Sequence, residues 1–176
     1  PYLVGGAENG GYRDIISRPT NRPLASGDIL MFDTGATYDG YFCDFDRNFS
    51  IDKADDNSIR AYDTLWYATE EGLANARAGT RCSDLYKSMQ KVISDMGYDG
   101  GEVGRYGHGL GMQLTEWPSN TASDNTVLEP GVVLTLEPGM AFLPGKEMVH
   151  EENIVITEDG PEWLSIRAAE ELPIIQ

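Results

Sequence analysis

Apolar and polar positions alternate on both sides of Asp39-Gly40, and the two runs predict a β-hairpin. Asp-Gly suits a two-residue hairpin loop because both positions tolerate positive φ. A loop of that length pairs Tyr38 with Tyr41, sets Asp33 opposite Asp46 and sets Asp44 opposite Gly35. Side chains alternate along a strand, so Asp33, Asp44 and Asp46 fall on one face. Asp33 and Asp44 then become diagonal neighbours, with Cα atoms about 7–8 Å apart. Downstream, Ile59, Tyr62, Leu65, Trp66, Thr69 and Leu73 recur at helical spacing, with Asn57 or Ser58 as the expected N-cap. After "AGT" a second helix is expected from Ser83 to Met96, carrying Leu85, Met89, Val92 and Ile93 and stopped by Gly97. Both helices read as core-packing elements without chemistry. The last third reads as strands, "VVLTLEPG" and "MVHEENIVIT", with a hairpin tip at "EDGPE". The implied class is α+β, with helices covering one face of a mostly antiparallel sheet.

Composition narrows the possibilities. The 176 residues, 40% hydrophobic and 24% charged, suffice for one domain with a substantial core, and there is no internal repeat. The opening "PYLVGGAENGGYRD" shows neither a helix start nor a linker and receives no element. Residues 1–176 are expected to be one catalytic-type domain, a piece of a longer chain whose N-terminal part lies upstream. A formal charge of −16 argues against nucleic acid or an anionic membrane as partner. No run approaches a membrane span, and none reads as a signal peptide or low-complexity tract. Cys43 and Cys82 form neither a paired framework nor a metal spacing, which points to a reducing compartment and a cytoplasmic location.

Acids facing one another across a hairpin are destabilising, and a cation between them would remove that cost. A solvated acidic face is the ordinary alternative. Three other features could complete a site. His108 lies among Gly107, Gly109 and Gly111, where backbone can approach closely, although a lone histidine is often structural. Glu137 ends the apolar run "VVLTLE", so it is either exposed at a turn or directed into a site. Glu151 and Glu152 are strand neighbours, so only one can face the hairpin, and the pattern does not say which.

Taken in order, "FDTGATYDGYFCDFDR", "GHGLG", "TLEPG" and "HEENIVIT" resemble the pita-bread metallopeptidase family. That family includes methionine aminopeptidases, Xaa-Pro aminopeptidases and prolidases, with creatinase as a metal-free relative. The likeness runs from about Pro19 to Thr157. It implies the pita-bread fold, with Asp33, Asp44, His108, Glu137 and Glu151 as metal ligands. Glu151 is preferred to Glu152 because the family's ligand precedes an x-Asn-hydrophobic run. Asp44 and Glu151 would bridge two divalent ions, Asp33 would serve one, and His108 with Glu137 the other. Four carboxylates match the charge of two such ions, and an oxygen-rich set with one imidazole suits Mn, Co, Fe or Zn, with Mn favoured. The implied chemistry is attack of metal-activated water on a peptide or amide carbonyl, with Glu137 carrying the proton. The resemblance also implies an upstream domain and a homodimer.

Three positions depart from that family. In "LTEWPS", Thr115 stands where the peptidases usually have a histidine that stabilises the developing oxyanion. The residues before "RPLASGD" lack the usual second histidine. Asp46 replaces a common Thr or Ser. The expected catalytic set is therefore Glu137, His108 and Thr115. The leading reading is a dinuclear hydrolase of the Xaa-Pro aminopeptidase or prolidase type, acting on a small peptide or small molecule. The alternatives are a lyase or small-amide hydrolase on the same scaffold, or a non-catalytic binding module.

Overall fold

The computed structural model describes residues 2–16, 20–100 and 103–176, so Pro1 and Pro19 lie outside the described residues. In chain order the elements are β1 (Tyr2–Asn9), β2 (Asp28–Tyr38), β3 (Tyr41–Ile51), α1 (Asp56–Asn75), α2 (Cys82–Asp95), β4 (His108–Gly109), β5 (Glu116–Ser119), β6 (Val133–Leu136), β7 (Gly139–Leu143), β8 (Lys146–Val149), β9 (Glu152–Ile156), β10 (Pro161–Trp163) and β11 (Ile174–Ile175). One sheet runs β1-β2-β3-β11, a second runs β10-β9-β6-β4-β5, and β7 pairs with β8. All pairings are antiparallel except β11 with β3.

The hairpin has the predicted register. Asp39 and Gly40 take φ of 48° and 87°, Tyr38 pairs with Tyr41, Asp33 with Asp46 and Gly35 with Asp44. The opening segment, which received no element from the sequence, is strand β1, paired along β2 from Tyr2 opposite Gly35 to Asn9 opposite Asp28. Its three glycine-containing dipeptides obscure any alternation, and the strand is supported by its neighbour rather than by its own pattern.

Helix α1 is capped by Asp55, not by Asn57 or Ser58. Asp55 has an extended backbone and its carboxylate accepts the Ser58 N–H at 2.9 Å, which places Ser58 inside the first turn. Helix α2 begins at Cys82, one residue before the expected start, and Gly97 follows it with φ of 87°. Ala61, Tyr62, Leu65 and Ala68 of α1 and Leu85, Met89 and Ile93 of α2 join Leu134, Leu136, Ile154 and Ile156 of β6 and β9 in one core. Burying each large side chain is worth about 1.5–3 kcal/mol, so the helices hold the second sheet from one side. Gly72 lets them cross closely, since a Cβ there would lie 2.8 Å from Met89 Sδ.

"MVHEENIVIT" is not one continuous strand. His150 and Glu151 interrupt it, so that β8 pairs with β7 while β9 pairs with β6. This change of partner sets Glu151 at the gap between two strands. None of the described helices is long and apolar enough to cross a membrane.

Candidate metal centre

Each acid reaches the centre from a different local cause. Asp33 and Asp44 come from β2 and β3, on the hairpin face fixed by the Asp39-Gly40 turn. Asp44 is held from behind by Asn153, whose Oδ1 accepts the Asp44 N–H at 3.0 Å and whose amide donates to the Asp44 carbonyl. His108 begins β4, which threads between other backbones. A Cβ at Gly107 would lie 2.0 Å from the Thr135 carbonyl oxygen, and one at Gly109 would lie 2.4 Å from that of Trp117. The glycines flanking His108 are therefore required by close backbone approach. Glu137 follows β6 and Glu151 precedes β9.

These side chains converge. His108 Nε2 lies 3.6 Å from Asp44 Oδ2, 3.8 Å from Glu137 Oε2 and 3.9 Å from Glu151 Oε1. Ligand atoms of Asp44, His108 and Glu151, all buried, lie within 4.8 Å of one another. Asp33 interacts with Asp44, and its charge is felt at Glu137 and Glu151. Thr115 is exposed, in the bend before β5.

The electrostatics of the cluster are dominated by the burial of like charges. Burial raises Asp33 to about 6, helped by Asp44, and raises Glu137 to about 7 against the opposing charge of Arg105, with Asp44 and Asp33 adding to the rise. Burial also raises Glu151 well above the ordinary carboxylate range, reinforced by Glu137, Asp44, Asp46 and Asp33. Asp33 Oδ1, Glu137 Oε2 and Glu151 Oε1 are buried and have no hydrogen-bond partner among the described residues. Burial lowers His108, favouring the neutral ring. Its Nδ1 lies 2.9 Å from the Gly109 carbonyl, which can only accept, so the proton sits on Nδ1. The Nε2 lone pair then points at three carboxylates. Lone pair against carboxylate is repulsive, and a divalent cation makes the same geometry favourable. The donor set present therefore fits metal.

The neighbouring pair resolves Glu151 from Glu152. Glu152 turns to the opposite side, where its carboxylate accepts from Arg47 at 3.0 Å, Arg167 at 3.1 Å, the Ala168 N–H at 2.8 Å and the Ser165 hydroxyl. Burial alone would raise Glu152, but contact with His150, the Ser165 and Ala168 donors and the Arg47 charge bring it down to about 2. Arg167 is held between Trp66 and Trp163, with ring centroids at 4.7 and 4.9 Å, and bonds Glu70 at 2.8 Å. Arg47 also donates to the carbonyls of Asp46 and Glu151, tying β3 to the segment before β9. Arg47 and His150 lie within the motif stretches and Arg167 in none, but no role was read for any of them, and only the adjacent acids Glu151-Glu152 hinted that one acid would need a buried partner.

The chain is similar in sequence and fold to known dipeptidases. The chain is 32% identical over 143 residues to the putative dipeptidase YkvY of Bacillus subtilis, covering 81% of this chain and 39% of the relative. It is 29% identical over 147 residues to an Xaa-Pro dipeptidase of Pyrococcus furiosus, covering 83% of this chain and 42% of the relative. The crystal structure of dipeptidase PepE from Mycobacterium ulcerans superposes with a TM-score of 0.90 at 28% identity, covering 99% of this chain and 47% of that one. The chain thus spans about two-fifths of the length of the curated relatives it matches. Its fold is the pita-bread α+β fold expected from the sequence. The sequence model of metallopeptidase family M24 matches residues 1–159, and the chain belongs to that family.

Proposed function

We propose that the protein is a dinuclear metal-dependent hydrolase of the Xaa-Pro dipeptidase type, with Asp33, Asp44, His108, Glu137 and Glu151 as ligands. The observation that supports it is the convergence of buried carboxylates on His108 Nε2, the Glu137 and Glu151 oxygens among them having no hydrogen-bond partner among the described residues. Asp44 shares a cluster with His108 and Glu151 and also interacts with Asp33, which supports it as a bridging ligand, with Glu151 as the second bridge. Divalent ions bound there supply a Lewis acid toward the scissile carbonyl and make water nucleophilic near neutral pH. Glu137, beside His108 in the cluster, is the carboxylate that would take a proton from the attacking water and return it to the leaving amine. His108 holds its orientation through Gly109, and Asn153 holds Asp44. The dipeptidase relatives support a small Xaa-Pro peptide as substrate.

The test is elemental analysis of the protein saturated with Mn(II), Co(II) or Zn(II), followed by turnover of Xaa-Pro dipeptides and small amides. About two ions and dipeptide cleavage are expected, and absence of metal from folded, saturated protein defeats the proposal. Thr115 favours a second reading, a small-amide hydrolase or lyase on the same scaffold. A threonine hydroxyl offers one hydrogen bond and no charge near neutral pH, and here it is exposed. Turnover of small amides without dipeptides would select this second reading.

A further inference from the structure

Asp46 lies outside the five ligands proposed above, yet it is the acid with the least reason to be where it is. It is 1% exposed, and neither carboxylate oxygen has a hydrogen-bond partner among the described residues. An unpaired buried carboxylate costs several kcal/mol unless something compensates it. Alternation along β3 puts it on the same face as Asp44, and the register puts it opposite Asp33. Its charge is felt at Glu151, and it feels those of Asp33, Glu137 and Glu152.

No hydrogen bond from a described residue answers it. The charge of Arg47 acts on it, but the Arg47 guanidinium donates to the Asp46 and Glu151 carbonyls, the Glu152 carboxylate and the Ile166 carbonyl. Asn48, next along that face, donates its amide to the Val149 carbonyl at 2.7 Å and leaves its own Oδ1 unpartnered. The Tyr12 hydroxyl accepts the Val149 N–H at 2.8 Å without bonding Asp46. Two buried carboxylate oxygens without a hydrogen-bond partner among the described residues, opposite Asp33 across the hairpin, are a demand for positive charge.

We propose that Asp46 is a sixth metal ligand, on the Asp33 side of the centre. This rests on the dinuclear reading above. The centre would then carry five carboxylates and one imidazole, a harder donor set that favours Mn(II) or Fe(II) over softer ions.

The experiment compares wild type with Asp46→Asn, which has the shape of a protonated aspartic acid but no charge. Mn(II) binding is measured by calorimetry and elemental analysis, and coordination by the visible absorption of the Co(II)-loaded protein. If Asp46 is a ligand, Asp46→Asn weakens Mn(II) binding by at least about tenfold and changes the intensity of the Co(II) bands. Unchanged affinity and spectrum mean that Asp46 carries a proton instead, and overturn the inference while leaving two ions in place. Weaker binding with an unchanged Co(II) spectrum assigns Asp46 an indirect role and also overturns it. Wild type that binds no metal overturns the dinuclear reading itself. Asp46→Thr is measured alongside, so that a misfolded Asn variant does not decide the outcome.

Discussion

Asp44 shows how much one residue does here. It shares a 4.8 Å cluster with His108 and Glu151, and both its backbone groups are gripped by Asn153. If Asp44 bridges two ions, Asp44→Asn should lose at least one of them, measured as metal per chain at saturation. Retention of both ions by a folded Asp44→Asn protein would remove the bridge from the proposal. Thr115 is tested at the same scale. Losing one preorganised oxyanion donor typically costs about 10²–10³ in rate. Thr115→His should therefore raise kcat/KM on an Xaa-Pro dipeptide if the missing histidine limits peptide cleavage. Efficient wild-type cleavage that the substitution fails to improve would show that this protein does not need that group.

Strand β9 makes one function depend on two opposite faces. Glu151 enters the cluster while Glu152 is anchored by Arg47 and Arg167 behind it, and Asn153 reaches back to β3. Removing one partner of a buried ion pair costs about 3–5 kcal/mol, so Glu152→Gln should lower stability by that order in denaturant unfolding. The loss comes from the two guanidinium groups left without a carboxylate. Asn153→Ala is expected to act more locally. Residues that hold a metal ligand in place are commonly worth 10–100-fold in affinity, so Mn(II) binding should weaken by about that factor with the fold retained. A variant with unaltered Mn(II) affinity would reduce Asn153 to a packing contact.

The whole molecule should respond to pH in two directions. Glu152 sits at about 2 against an ordinary 4.5, so its contribution is present above pH 4.5 and is lost as pH falls toward 2. Asp33 and Glu137 are raised, to about 6 and about 7. For raised acids the folded chain keeps protons that the unfolded chain releases, so stability falls as pH rises from about 4 to 7. Metal-free protein should therefore melt highest at about pH 4. Divalent metal should remove the decline on the alkaline side and add about 2.7 kcal/mol at a hundredfold excess over Kd. Thermal melts across pH with EDTA and with Mn(II) check both statements, and a metal-free optimum above pH 8 would contradict them.

Legibility divided along the range of the interactions. The hairpin register, the face shared by Asp33, Asp44 and Asp46, the two helices and the stop at Gly97 were readable from sequence. Each follows from turn chemistry or periodicity within about twenty residues. The order of the motifs also identified the family. Strand β1 was not readable, because its pairing with β2 lies outside its own sequence. Nor was the break at His150–Glu151, which arises because β8 and β9 answer to different partners. By residue pattern alone Glu151 and Glu152 were equivalent. Tertiary structure separated them, by burying Arg47 and Arg167 beside one and four acids and an imidazole beside the other. Alternation says that neighbours point apart, but only the charges packed on each side decide which acid faces the acidic cluster and which is anchored by arginines.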